Sequence, residues 1–439
     1  MSILDPAVSG EISASGLSRP RLSLAANFSW TLAGNLVFAL CQWGLLVVLA
    51  RLGNPEAVGR FTLAFAVTAP AFMFANLQLR AVQATDAKGL YGFGDYLGLR
   101  ALTTAATVSV LVALAAARPW PRETALTMVA VIAAKAFESF SDVCYGWRQR
   151  NEQMDRIGVS LMLRGILSLG AFAAVFYVTR SVVWSAAALA GAWLTVLLAC
   201  DARGVARELG RSHPDPRLRL RWATLARLAW LALPLGVVMM IISLNSNLPR
   251  YAIVHFLGER NLGLFSALAY VTAGGGTIVD ALGQAATPSL ANAFADGDRR
   301  AFRRTLLRLM GVAGLLGAGG VALASIAGRP FLAVFYGSDY AARGDVFIWL
   351  MAASAAGYLA SSLGYAVTAT RYFVAQAPLF LAVTAATALG CWLLIPIHGL
   401  AGAAMVLLAS AGLQFAGSAG MLGHAVVRLP RPRGKGRAA

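Results

Sequence analysis

Four charged side chains stand where the surrounding sequence is apolar. Lys135, Glu138 and Asp142 fall inside one hydrophobic segment, and Arg164 falls inside the next, after a polar turn. Stepping by three, four and three, Lys135, Glu138, Asp142 and Tyr145 share one face of a helix and form a stripe. A charge at the centre of a membrane helix costs about 2.5–3.5 kcal/mol on insertion scales, so the stripe should line protein or a watery space. Lys135 and Glu138 could do no more than neutralise each other, and Asp142 could already lie at the interface. Arg164 has no partner within its own helix and must meet either the stripe or a ligand. A guanidinium at such a depth suits a phosphate or a carboxylate, which it holds bidentately.

The elements that carry these residues follow from composition. The 439 residues are 58% hydrophobic and 13% charged, with a mean hydropathy of +0.67, which excludes a soluble protein. Apolar runs of roughly 20 residues predict membrane-spanning helices, and the short alternating segments of a β-barrel are missing. The net charge of +18 raises the question of nucleic acid. Roughly 26 of the Lys and Arg residues fall in one alternating set of turns and tails and about 9 in the other, so the charge reads as topological and no nucleic-acid partner is expected. Cys41, Cys144, Cys200 and Cys391 lie in or at the ends of separate apolar segments, without metal-ligand spacing, so neither a disulfide framework nor a metal site is expected. His213, His255, His398 and His424 are scattered, and no catalytic residue is identified.

The pattern predicts an all-α polytopic membrane protein of twelve helices, at about 27–50, 58–80, 97–117, 123–144, 157–179, 182–201, 227–252, 262–287, 303–327, 345–368, 373–395 and 398–425. An even number puts both ends on one side, and the basic turns make that side cytosolic. Residues 1–26, which lack the layout of a cleavable signal peptide, form a cytosolic tail. A first lobe covers 27–201, a basic cytosolic connector 202–226, a second lobe 227–426 and a basic tail 427–439. LGNPEAVGRFTLAFAVTA (52–69) recurs as LGERNLGLFSALAYVTA (257–273), so the two six-helix lobes are a parallel repeat about an axis along the membrane normal, with a central cavity expected between them. Setting Phe61 on Phe265 places Asn76 opposite Asp280 and Arg80 opposite Gln284.

Polar residues within the apolar segments mark that cavity. The candidate substrate-binding set is Asn76, Arg80, Lys135, Glu138, Arg164, Asn247, Arg250, Asp280 and Gln284, with Asn35, Gln42 and Asn245 beside it. Asn247 and Arg250, three apart, share a face. A lone Asn or Gln in such a helix commonly bonds a neighbouring helix instead. Pro234, Pro249 and Pro288 could kink their helices, and Gly274 to Gly276 could loosen the eighth.

The outer LG…GxF turns, LQLRAVQATDA (77–87), YGWRQRNEQM (145–154), TPSLANAFADGD (287–298), FYGSDYAARGDVFIWLMAAS (335–354) and IPIHGLAGAA (395–404), in this order and spacing, resemble polysaccharide and O-antigen flippases of the Wzx type. These belong to the multidrug/oligosaccharidyl-lipid/polysaccharide (MOP) exporter superfamily. The resemblance runs from about Asn27 to Val426. It implies alternating access and export of an undecaprenyl-pyrophosphate-linked oligosaccharide across the bacterial inner membrane. It implies membrane lipid and other polysaccharide-assembly proteins as partners, a monomer as the working unit, and no cofactor beyond coupling to H+ or Na+. Asp280 is the candidate for that coupling. A cation-coupled multidrug antiporter is the nearest alternative and would need acidic residues to dominate the cavity. A membrane glycan polymerase or ligase would need a catalytic loop or domain, which the sequence does not offer.

Overall fold

The computed structural model describes residues 24–86, 89–211, 219–370 and 373–427. The expected N-terminal tail as far as residue 23, residues 212–218 of the connector, Arg371 and the C-terminal tail from 428 lie outside the described residues. Among the described residues, ten helices are long and apolar enough to cross a membrane. In order, α1 is Leu24–Leu52, α2 Pro55–Ala75, α3 Leu79–Thr85, α4 Phe93–Ala117, α5 Arg122–Arg150, α6 Met154–Thr179 and α7 Val182–Val196. A π-helical turn, Leu197–Ala202, carries α7 into α8, Arg203–Arg211. The second half holds α9, Trp222–Ala295; α10, Arg299–Phe335; α11, Ser338–Ala341; α12, Gly344–Ala369; and α13, Phe373–Val427.

Two of these helices each account for two passes. At 1.5 Å per residue, the 74 residues of α9 would run for about 110 Å, several times the thickness of a bilayer core. The chain breaks at Gly258 (φ 82°, ψ 176°) and, in α13, at Gly399 (φ 59°, ψ −135°), conformations open to glycine and costly for other residues. Divided there, the ten helices make twelve spans, six in each half. The breaks fall at glycines, while Pro234, Pro249 and Pro288 remain inside α9. In the first half the matching turn is built by capping: Asn54 Oδ1 accepts from Ala57 N at 2.9 Å, and Pro55 occupies the first helical position.

Two local features differ from the sequence reading. The second span is not continuous, because Leu77 and Gln78 take left-handed φ values of 49° and 50° and separate α2 from α3. The connector begins as helix, since α7 continues through the π turn into α8.

Packing divides the molecule into a closed end and a split end. One apolar core gathers Leu45, Phe61, Phe172, Phe265, Leu332 and Leu400, and so joins both halves at the end where Gly53, Gly258 and Gly399 turn. At the other end two cores are separate. Leu79, Tyr96, Val143 and Val205 pack with Leu225 and Leu228 from the first arm of α9. Leu290, Phe302, Leu363 and Leu422 pack within the second half. The repeat supplies the join. Under the register that sets Phe61 on Phe265, Gly59 corresponds to Gly263 and Pro55 to Glu259. A Cβ on Gly59 would overlap the backbone of Glu259, and a Cβ on Gly263 would overlap the backbone of Pro55. The two contacts are the same contact viewed from each half, as a pseudo-two-fold axis requires. Around them Arg60 Nε bonds Glu259 Oε2 at 3.1 Å, Arg260 Nη1 bonds Glu56 Oε1 at 3.2 Å, and Trp43 Nε1 donates to Tyr336 Oη at 2.7 Å.

Candidate functional site

A cavity of about 350 Å³ lies beneath the closed end, with walls from both halves. The first half contributes Phe38 and Gln42 of α1, Phe61, Phe65 and Ala69 of α2, Lys135 and Glu138 of α5, and Trp193 of α7; the second contributes Asn247 and Arg250 from one arm of α9 and Ser266 and Tyr270 from the other. Arg250 precedes Gly258 by eight residues and Ser266 follows it by eight, so both lie about 12 Å along their arms from the turn. The charges therefore sit well inside the bilayer.

The cavity has more cation than anion. Lys135 Nζ donates to Glu138 Oε2, and Arg164 Nη1 stands 3.6 Å from Glu138 Oε1, so one carboxylate serves two cations. Across the cavity Arg250 Nη1 donates to Asn247 Oδ1 at 2.8 Å and to the Ser246 carbonyl at 3.3 Å. Among the described residues no carboxylate pairs with Arg250. Gln42 Nε2 and Ser266 Oγ are buried in the same wall without a hydrogen-bond partner among the described residues. Charged donors from opposite halves, spare neutral donors and aromatic faces suit an anion that also carries hydroxyl groups.

The candidate residues fall into three groups. Lys135, Glu138, Asn247 and Arg250 meet in the cavity wall. Asn76, Arg80 and Arg164, expected to reach it, are held inside the first half instead. Arg164, 2% exposed, donates to Tyr145 Oη at 3.0 Å, and its guanidinium lies 5.4 Å from the Tyr145 ring and 5.3 Å from the Trp193 ring. Gly165, next to Arg164, packs against α1 at Phe38 and Cys41. Arg80 Nε donates to Gln149 Oε1 at 2.9 Å, and Asn76 Oδ1 accepts from Arg100 and from Ser139. Asp280 and Gln284 form the third group. Both are exposed in the second half, where Asp280 Oδ1 accepts from Tyr365 Oη at 3.3 Å, with no cation beside it among the described residues.

The first half also buries charges that the sequence places at or near the ends of its helices and that were not among the candidate site residues. Arg100, fully buried, donates to Asp142 Oδ2 at 2.9 Å. Asp201 Oδ1 accepts from Arg148 Nη1 at 2.9 Å and from Ser160 Oγ at 2.8 Å, and Ser160 meets Tyr145 Oη at 2.8 Å. A chain of polar contacts thus runs from Glu138 at the cavity, through Arg164, Tyr145 and Ser160, to Asp201 and Arg148 beside the π turn. Arg100 and Arg148 lie near helix ends, where a basic residue reads as a topological signal; only their acidic neighbours Asp95, Asp142 and Asp201 hinted at pairing. Among the described residues no cluster of His, Cys, Asp and Glu could hold a metal ion.

The match to a protein family covers residues 48–343 and is described as a polysaccharide biosynthesis protein. The chain is 26% identical over 388 residues to the capsular polysaccharide biosynthesis protein CapF of Staphylococcus aureus, a match spanning 88% of this chain and 95% of that protein. Among solved structures it is similar to the lipid II flippase MurJ in an inward closed conformation, with a TM-score of 0.71 and 11% identity over 92% of this chain and 88% of the other. It is also similar to a MATE-family multidrug resistance transporter of the MOP superfamily in an inward-facing conformation, with a TM-score of 0.68 and 12% identity over 91% of this chain and all of the other. At such low identity these structures speak for the fold alone, a two-lobed helical membrane bundle. With two-thirds of its length matched by the family and nearly all of it aligned with CapF, the chain belongs to the polysaccharide biosynthesis protein family.

Proposed function

We propose that this protein is a transporter, not an enzyme, and that it flips an undecaprenyl-pyrophosphate-linked oligosaccharide across the bacterial inner membrane by alternating access. One observation carries the reading: Lys135 and Arg250 face one cavity from opposite halves, and its single carboxylate, Glu138, is already shared with Arg164. A pyrophosphate would supply the missing negative charge and bridge the halves. Gln42, Asn247 and Ser266 would meet sugar hydroxyls. The split end is read as cytosolic because α10 starts there with exposed Arg299, Arg300, Arg303, Arg304 and Arg308, the bias expected of cytosolic turns. The cavity then accepts its load from the cytosolic side and releases it when the closed end parts. Coupling to H+ or Na+, if the cycle uses it, belongs to Asp280, which lies away from the cation surplus. A multidrug antiporter is disfavoured by that same surplus, which would repel a cationic drug.

Cells lacking the protein are expected to accumulate lipid-linked oligosaccharide on the cytosolic face of the membrane and to lose the surface polymer. Normal surface polymer in such cells, with altered drug efflux, would replace this reading with the antiporter.

A further inference from the structure

A second cavity, of about 610 Å³, lies on the far side of the helices that wall the first. On α2, Phe61, Phe65 and Ala69 face the central cavity, while Leu63 and Val67 face this one. On the first arm of α9, Asn247 and Arg250 face the centre, while Val254 and His255 face outward. Between the two, Tyr251 Oη donates to the Ala66 carbonyl at 2.5 Å and closes the seam. Leu111 and Leu114 of α4 and Ile132 of α5 complete a wall that is apolar over most of its area. Leu114 is 39% exposed, so the crevice opens sideways from the bundle toward the bilayer.

Its rim has different chemistry. Arg118 follows the last residue of α4, is exposed, and forms no side-chain hydrogen bond or ion pair among the described residues. Trp120 lies beside it, and His255 stacks on Trp392, 5.9 Å away, whose ring is largely exposed. A cation next to a tryptophan at the end of a membrane helix marks the headgroup level of a bilayer. Water in the apolar part would find few partners, so hydrocarbon fills it, and a guanidinium at the mouth selects a phosphate.

We infer that this crevice binds a membrane phospholipid, with its phosphate on Arg118 and one acyl chain between α4 and the first arm of α9. Its walls come from both halves, so the lipid fits only while the halves stand as they do here. A bound phospholipid therefore favours the closed end over its parted form. The bilayer supplies this ligand in great excess over any carrier lipid, and the site is separated from the central cavity by the Tyr251 seam.

The test is native mass spectrometry of the delipidated, detergent-solubilised protein titrated with phosphatidylglycerol. Wild-type protein is expected to retain one phospholipid for which Arg118→Ala has about tenfold weaker affinity, the weight of one charge-assisted hydrogen bond at a wet rim. Leu114→Trp, which fills the crevice from its exposed face and leaves Arg118 in place, should lose the same lipid. Equal retention by wild type and both variants would overturn the inference. Displacement of the lipid by an equimolar prenyl phosphate would also overturn it, since the crevice would then prefer the carrier lipid.

Discussion

Arg164 illustrates what a residue can and cannot declare from its position in a chain. Its charge in an apolar helix required a partner, and the choice between the stripe on α5 and a ligand was open. The structure gives it Tyr145, Trp193 and Glu138, and almost no exposure. Arg164→Ala is therefore expected to lower the amount of folded protein through the lost contacts to Tyr145 and Trp193, and adding Glu138→Gln should not recover it, because Glu138 keeps Lys135 as its partner. Glycan export per folded molecule in Arg164→Ala alone would show whether Arg164 also touches substrate. A sharper case is the pair Arg148 and Asp201, whose side chains are 3% and 0% exposed. Asp201→Ala should destabilise by about 3–5 kcal/mol by leaving a buried cation unmatched, and Arg148→Leu added to it should restore much of the loss, as read by thermal unfolding in detergent. Lys135, Glu138, Asn247 and Arg250 were legible because charge and amide stand out against apolar sequence. Arg100, Arg148 and Asp201 were not, because near a helix end burial depends on where the helix stops, and α4 begins four residues before the position the pattern suggested.

At the scale of elements, the repeat predicted the turn at Gly258, but nothing in the sequence predicted the break between α2 and α3. Neither glycine nor proline marks it; Leu77 and Gln78 carry the left-handed conformation themselves. The break separates the halves chemically. Asn76 turns toward Arg100 and Ser139, while its counterpart Asp280 stays on an unbroken helix and meets Tyr365. Left-handed backbone costs a non-glycine residue about 1–2 kcal/mol, and a β-branched side chain tolerates it worst. Gln78→Val should therefore lower the unfolding temperature, and Gln78→Gly should leave it unchanged or raise it. The glycines of the repeat make a second prediction. Gly59 and Gly263 let α2 and the second arm of α9 meet backbone to backbone. Gly263→Val should prise this contact apart, and a cysteine placed at Ser266 in a protein without its four native cysteines should then react faster with an impermeant thiol reagent added from the closed side. An unchanged rate would mean that the glycine contact does not hold that end shut.

The whole molecule is a pair of six-helix bundles that share one core at the closed end, while at the other end only the first arm of α9 packs on the first half. The sequence made the pair visible through its repeat and its even number of spans. It did not reveal at which end the shared core lies, since any two states of one chain are written in the same residues and differ only in which surfaces meet. The ion pairs at the closed end, Arg60 with Glu259 and Arg260 with Glu56, are partly exposed and screened by solvent, so they contribute little. The closed state thus rests mainly on the shared core and on the glycine contacts, which can part without breaking a strong bond. Under the proposed function, what changes over a cycle is the load between Lys135 and Arg250. The most direct measurement reconstitutes the purified protein in vesicles and follows a fluorescent short-chain prenyl-pyrophosphate-linked sugar from one leaflet to the other. Wild-type protein should move it, Arg250→Gln at equal protein level should move it at least about tenfold more slowly, and Arg250→Lys should fall between them. An unloaded wild type, or an Arg250→Gln variant as fast as wild type, would contradict the account.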